Sequence, residues 1–113
     1  MANLLQETIE ILKEHNKSEN DILWVGRIEV QCVSDYYDSQ DVRCPTVKNT
    51  WEWFKSKANF GYNNGYGGVE ILSSLVVVGE DFWLERHEYD GSEWWEYKRM
   101  PTEPFETKDF DLQ

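Results

Sequence analysis

Phe82-Trp83-Leu84-Glu85-Arg86-His87-Glu88-Tyr89-Asp90-Gly91-Ser92-Glu93-Trp94-Trp95-Glu96-Tyr97-Lys98 reads as two strands around a tight turn, and it holds three of the chain's six tryptophans. Asp90-Gly91 is a strong hairpin signal. Glycine accepts a positive φ without a Cβ penalty, and aspartate tolerates one better than most residues. The aromatic flanks favour strands. A two-residue turn pairs Tyr89 with Ser92, His87 with Trp94, Arg86 with Trp95 and Leu84 with Tyr97. Phe82, Leu84, Arg86, Trp95 and Tyr97 then share a buried face, with Arg86 over the Trp95 ring. Trp83, Glu85, His87, Trp94 and Glu96 share the other.

That register also opposes Glu88 to Glu93 and Glu85 to Glu96, and opposed like charges destabilise a strand pair. A three-residue loop, Asp90-Gly91-Ser92, sets Arg86 against Glu96 instead. Either reading is open at this level, and a slip of one residue exchanges the faces. In both, Trp94 and Trp95 point to opposite sides of the strand.

Working outward, the N-terminus reads as a helix over residues 4–15. Asn3 is placed to cap it, with Gln6 three residues on. Leu5, Ile9 and Leu12 form its apolar stripe, widened by Leu4 and Ile11. Beyond a polar turn the period changes to two. Ile22, Trp24, Ile28, Val30 and Cys32 fall on one strand face, and Arg27, Glu29 and Gln31 on the other. Gly26 in the middle marks a bulge or a close backbone approach. Residues 34–45 read as a polar loop around Tyr36 and Tyr37. Val47, Trp51, Phe54 and Ala58 are spaced as a helical face, which predicts a short helix over 51–58 capped by Asn49 or Thr50, with Trp53 pointing away.

Four of seven glycines cluster between Gly61 and Gly68 with Tyr62 and Tyr66. No strand precedes this run and no Lys-Ser or Lys-Thr follows it, so it is not a phosphate loop. It reads as an ordered turn or a binding loop. The near-continuous Leu75-Val76-Val77-Val78 run predicts a strand covered on both faces. Residues 101–113 read as an extended acidic tail, with Phe105 and Phe110 available to dock. The expected architecture is therefore α+β: an antiparallel sheet of about four strands, an N-terminal helix and a second short helix on one face, within one domain over residues 1–100.

At 113 residues the chain needs no disulfide or metal staple. Its net charge of −11 disfavours nucleic acid and anionic membranes as direct partners and favours a protein with a basic surface. Cys32 and Cys44 are too few for a disulfide scaffold. With no secretory leader or membrane-length apolar run expected, a cytoplasmic setting follows. His15, His87, Cys32 and Cys44 lack metal-ligand spacing. No cofactor is implied and enzymatic activity is not expected.

The strings Tyr62-x-x-Gly65-Tyr66-Gly67-Gly68-x-Glu70-Ile71, Leu75-Val76-Val77-Val78-Gly79 and Trp83-Leu84-x-Arg86-x-Glu88-Tyr89-Asp90-Gly91-Ser92-Glu93-Trp94-Trp95-Glu96 resemble a family of small uncharacterised phage and prophage proteins of Gram-positive bacteria. The resemblance is strongest in the C-terminal half. In the first half it rests on the helix and on Asp21-Ile22-Leu23-Trp24-Val25-Gly26. It implies action in the cytoplasm of a bacterial host and carries no catalytic residues. It implies no mechanism; the acidic composition combined with the aromatics motivates the expectation of an inhibitor of a host nucleic-acid-handling or defence protein of CRISPR type. Its acids would occupy a groove evolved for phosphates. Glu85, Asp90, Glu93, Trp94 and Glu96 are the candidate partner-binding residues, with Tyr62 and Tyr66 second. Two alternatives stand beside this: a phage accessory protein acting as a homo-oligomer, and a small enzyme using paired carboxylates of raised pKa.

Overall fold

A computed structural model describes residues 2–29, 44–65 and 68–113. In chain order its elements are β1 (Ala2–Asn3), α1 (Leu4–Glu14), a 3-10 turn (Glu19–Asp21), β2 (Ile22–Glu29), β3 (Cys44–Asn49), α2 (Trp51–Lys57), β4 (Gly61–Tyr62), β5 (Leu75–Gly79), β6 (Phe82–Tyr89) and β7 (Ser92–Arg99). The main sheet has five antiparallel strands in the order β3-β2-β5-β6-β7, and β1 pairs with β4 in a small second sheet. The α+β class and both helices are as the sequence predicts.

Both helices begin where a side chain can accept a free amide. Asn3 Oδ1 accepts from Gln6 N at 3.0 Å, and Thr50 Oγ1 accepts from Trp53 N at 3.0 Å. Leu4 and Leu12 of α1 and Trp51 and Phe54 of α2 join Val25, Val77, Leu84, Phe82 and Trp95 in one core. Both helices therefore pack on the same face of the sheet. Thr8, fully buried in α1, accepts from Trp95 Nε1 at 2.8 Å and donates to the Leu4 carbonyl at 2.7 Å, tying helix to sheet.

The hairpin adopts the two-residue turn, pairing Tyr89 with Ser92, Arg86 with Trp95 and Leu84 with Tyr97. Asp90 and Gly91 both take positive φ, 53° and 89°, which matches the twist of the flanking strands.

Three expectations need correction. The polar loop ends earlier than expected, because residues 44–49 form an edge strand that tolerates Pro45 there. Val47 belongs to that strand and is exposed, so it is not part of the α2 face. Second, Trp24 does not share the core face. Its partners are Val78 and, one strand on, Trp83, while Val25 faces the core. A register shift between Ile22 and Trp24 moves the alternation by one residue, leaving Leu23 exposed. Third, Phe105 and Phe110 do not dock, since residues 101–113 are exposed throughout. The expected positions of Val30, Cys32, Tyr36 and Tyr37 lie outside the described residues.

Gly26 and Gly79 mark close approaches. A Cβ at Gly26 would stand 2.5 Å from the Val47 carbonyl oxygen and 2.8 Å from the Trp24 ring. One at Gly79 would stand 2.0 Å from the Phe82 ring.

Candidate functional site

The sheet face opposite the helices carries three tryptophans and two of the candidate acids. Directly opposed residues of an antiparallel sheet share a face. The pairings Trp24–Val78–Trp83–Lys98, Val76–Glu85–Glu96 and His87–Trp94 therefore build one surface across four strands. Val76 is buried on it and Trp24, Val78, Trp83 and Glu85 are half-buried. Trp94 is 37% exposed at its margin.

Within this surface Glu85 and Glu96 are each oriented by the tryptophan two residues earlier on the same strand. Trp83 Nε1 donates to Glu85 Oε1 at 2.8 Å, and Trp94 Nε1 donates to Glu96 Oε2 at 3.1 Å. His87 Nε2 lies 2.8 Å from Glu85 Oε2 and 4.0 Å from Glu96 Oε1, and Lys98 Nζ lies 3.7 Å from Glu96 Oε1. Burial alone would raise the Glu85 carboxyl, but the hydrogen bonds from Trp83 and His87, with Lys98 nearby, outweigh it and hold it below the usual value. Glu96 is also lowered, first by the Trp94 hydrogen bond and then by His87 and Lys98. Both carboxylates stay ionised at neutral pH. The raised value that a carboxylic general acid needs is not what this pair displays.

Glu85, Trp94 and Glu96 are thus brought together as expected from the sequence, joined by Trp83 and His87. Asp90 stands apart at the hairpin turn, exposed. Glu93 does not belong with them, and its placement corrects the sequence reading. It pairs with Glu88 on the helix-facing side and is 2% exposed. Its carboxylate accepts from Glu70 N at 2.6 Å, Ile71 N at 3.1 Å and Arg86 Nη2 at 3.1 Å. Tyr62 is likewise buried on the helix side. Its hydroxyl donates to Glu7 and accepts from Arg86 Nη2 at 3.1 Å. Burial, then the Glu7 hydrogen bond, pushes the Tyr62 hydroxyl up to about 12 against the opposing pull of Arg86. Tyr66 lies outside the described residues.

Arg86 is the hub of this interior cluster. Its guanidinium lies 4.8 Å from the Trp95 ring centroid and 5.7 Å from that of Tyr62. Its Nε and Nη1 have no hydrogen-bond partner among the described residues. A cavity of about 30 Å³ adjoins it, lined also by Ile71, Ser73, His87 and Glu93.

Sequence reasoning missed Glu7, Glu10 and Glu14. These line one flank of α1 and, with Ile11 and Trp95, border a groove of about 180 Å³ beside β7. Their spacing of three and four was a visible signal for a common helix flank. Among the described residues no three His, Cys, Asp or Glu side chains are grouped to hold a metal ion. No helix among them is long and apolar enough to cross a membrane.

No protein-family model, curated protein or solved structure matches this chain.

Proposed function

We propose that the chain is a small acidic interaction protein. In this reading it docks on the basic surface of a host nucleic-acid-handling or defence protein and blocks it. The observation that carries the reading is the sheet face opposite the helices, where Trp83 and the partly exposed Trp94 stand beside two ionised carboxylates in a chain of net charge −11. An indole supplies large contact area at low entropic cost, and hot spots are enriched in tryptophan. Indole-oriented carboxylates present fixed negative charge to a lysine- or arginine-rich groove, which raises the rate of encounter and rejects acidic surfaces. Trp94 supplies the anchoring contact, and the two carboxylates supply the salt-dependent attraction and the selectivity. Homo-oligomerisation through the same face is opposed by the repulsion of two copies of this charge.

The test starts with nuclease-treated bacterial host lysate, captured on the tagged protein at low and high salt. The captured protein is then purified, and the chain is titrated against its complex with labelled nucleic acid. Displacement of the nucleic acid, with Trp94→Ala and Glu96→Lys each weakening it, is the expected outcome. For Trp94→Ala the loss should be about 2 kcal/mol or more. Capture that resists high salt, or binding that leaves the nucleic acid in place, contradicts the reading.

A further inference from the structure

β7 is the last strand of the five-stranded sheet, and its outer edge carries no further strand among the described residues. Outward and inward amides alternate along an antiparallel edge. The tight turn makes Tyr89 and Ser92 a hydrogen-bonded pair, so Glu93, Trp95, Tyr97 and Arg99 turn their backbone groups away from β6. Two contacts agree with this phase. Glu93 N donates outward to the Asn64 carbonyl at 2.9 Å, and Met100 N donates inward to the Asp81 carbonyl at 3.0 Å. Asn64 thus closes the start of the edge. The amides of Trp95, Tyr97 and Arg99 have no partner among the described residues.

The acidic groove lies beside this edge. The Glu7 side chain is engaged by Tyr62 and Asn64, but the Glu10 and Glu14 side chains make no hydrogen bond or ion pair among the described residues. On the opposite side of the strand stand Trp94 and Glu96.

We infer that the β7 edge is a docking site for an extended, lysine- or arginine-rich segment of a protein partner, which adds as a sixth strand. This deepens the proposed function and rests on it. Main-chain bonds to Trp95, Tyr97 and Arg99 hold the added strand, and alternate side chains select its sequence. Those on the helix side enter the groove, where the stem of a lysine lies along Ile11 and the Trp95 ring and its ammonium meets Glu10 and Glu14. Those on the other side lie beside the Trp94 indole, which suits an apolar residue. The chain's own tail is a poor occupant, since Glu103, Glu106, Asp109 and Asp111 outnumber Lys108 there. A second copy would bring another charge of −11 against the same carboxylates.

The probe is an acetylated, amidated Lys-Val-Lys-Val-Lys-Val-Lys peptide, read by amide hydrogen exchange on the full chain. The Trp95, Tyr97 and Arg99 amides should gain protection by at least about tenfold. A Glu-Val peptide of equal length, and a Lys-Val peptide N-methylated at alternate backbone nitrogens, should give none. Glu10 and Glu14 are exposed, so Glu10→Lys with Glu14→Lys keeps the fold and should weaken the peptide by about tenfold. Protection confined to other amides, or binding indifferent to N-methylation, overturns the edge assignment. If the peptide fails while a basic host protein is still captured in a salt-sensitive way and still releases its nucleic acid, the edge assignment alone falls. If both fail, the proposed function falls with it.

Discussion

Replacing Glu93 by Gln separates the two roles a glutamate at this position could play. In the structure its side chain is 1% exposed and its three contacts are all donors: Arg86 Nη2, Glu70 N and Ile71 N. Glutamine removes the charge and turns one oxygen into an NH2. That group must face one of those donors, so a donor–donor contact replaces a hydrogen bond. The Arg86 guanidinium, 2% exposed, is left as an uncompensated buried cation. Breaking a buried ion pair from one side costs about 3–5 kcal/mol. Against a total stability of roughly 5–15 kcal/mol, that is a third or more of the whole for most of the range. For a domain near this size the melting temperature should fall by roughly 10–25 °C. Calorimetry and guanidinium unfolding measure both quantities. Arg86→Met should cost less, because the Glu93 carboxylate keeps two backbone amides. In a double-mutant cycle, Glu93→Gln should cost less in the Arg86→Met background, where no buried cation remains. A Glu93→Gln protein within about 1 kcal/mol of the parent, yet unable to hold its partner, would refute the burial argument and return Glu93 to the contact surface.

Two further perturbations test the packing and the proton chemistry. Gly79→Ala places a Cβ 2.0 Å from the Phe82 ring, which is buried and stacked on Tyr97, and should destabilise by about 1–3 kcal/mol on urea unfolding. A Tyr62 hydroxyl raised from 10.0 to about 12 keeps its proton in the folded chain after the unfolded chain has lost it. Its stabilising contribution is complete below pH 10.0 and is lost as pH rises towards about 12, so Tyr62→Phe should flatten the alkaline fall in melting temperature across that window.

Local chemistry made much of this fold readable. Asn3 caps α1 and Asp90-Gly91 forms the turn because each satisfies a backbone demand within a few residues. Gly26 signalled a close approach, but the group it approaches, the Val47 carbonyl, lies on another strand and was not legible locally. The failures have non-local causes. A single bulge near Ile22 put Val25 rather than Trp24 in the core, and alternation cannot register an extra residue. The strand at residues 44–49 contains a proline, which weighs against a strand unless its edge position is known. Glu93 was legible in principle. It stands two residues from Trp95, and the two-residue turn places both on the face of Arg86. Treating an acid in an acidic chain as solvated hid that parity, and the buried arginine beside it was the signal that a counter-charge was needed. Glu85, Trp94 and Glu96 came together because the same alternation, read correctly, carries all three to the opposite face.

The two like-charge pairs across the hairpin explain why this sequence supports the observed register. Glu88 against Glu93 and Glu85 against Glu96 would each weaken an isolated ribbon. Each opposition is relieved by a different device. Glu93 turns inward, where a guanidinium and two backbone amides neutralise it, and Glu88 remains in water. Glu85 and Glu96 each accept from their own tryptophan, His87 Nε2 lies between them, and Lys98 meets Glu96. The three-residue loop would have set Arg86 against Glu96 and gained one surface ion pair, worth under about 1 kcal/mol. It would also have carried Arg86 off the Trp95 ring and Trp95 out of the core. Burial of an indole and its bond to Thr8 outweighs a surface pair, so the register follows the core. The carboxylates left on the face opposite the helices are held there by indoles because the hairpin settles its charge conflict locally.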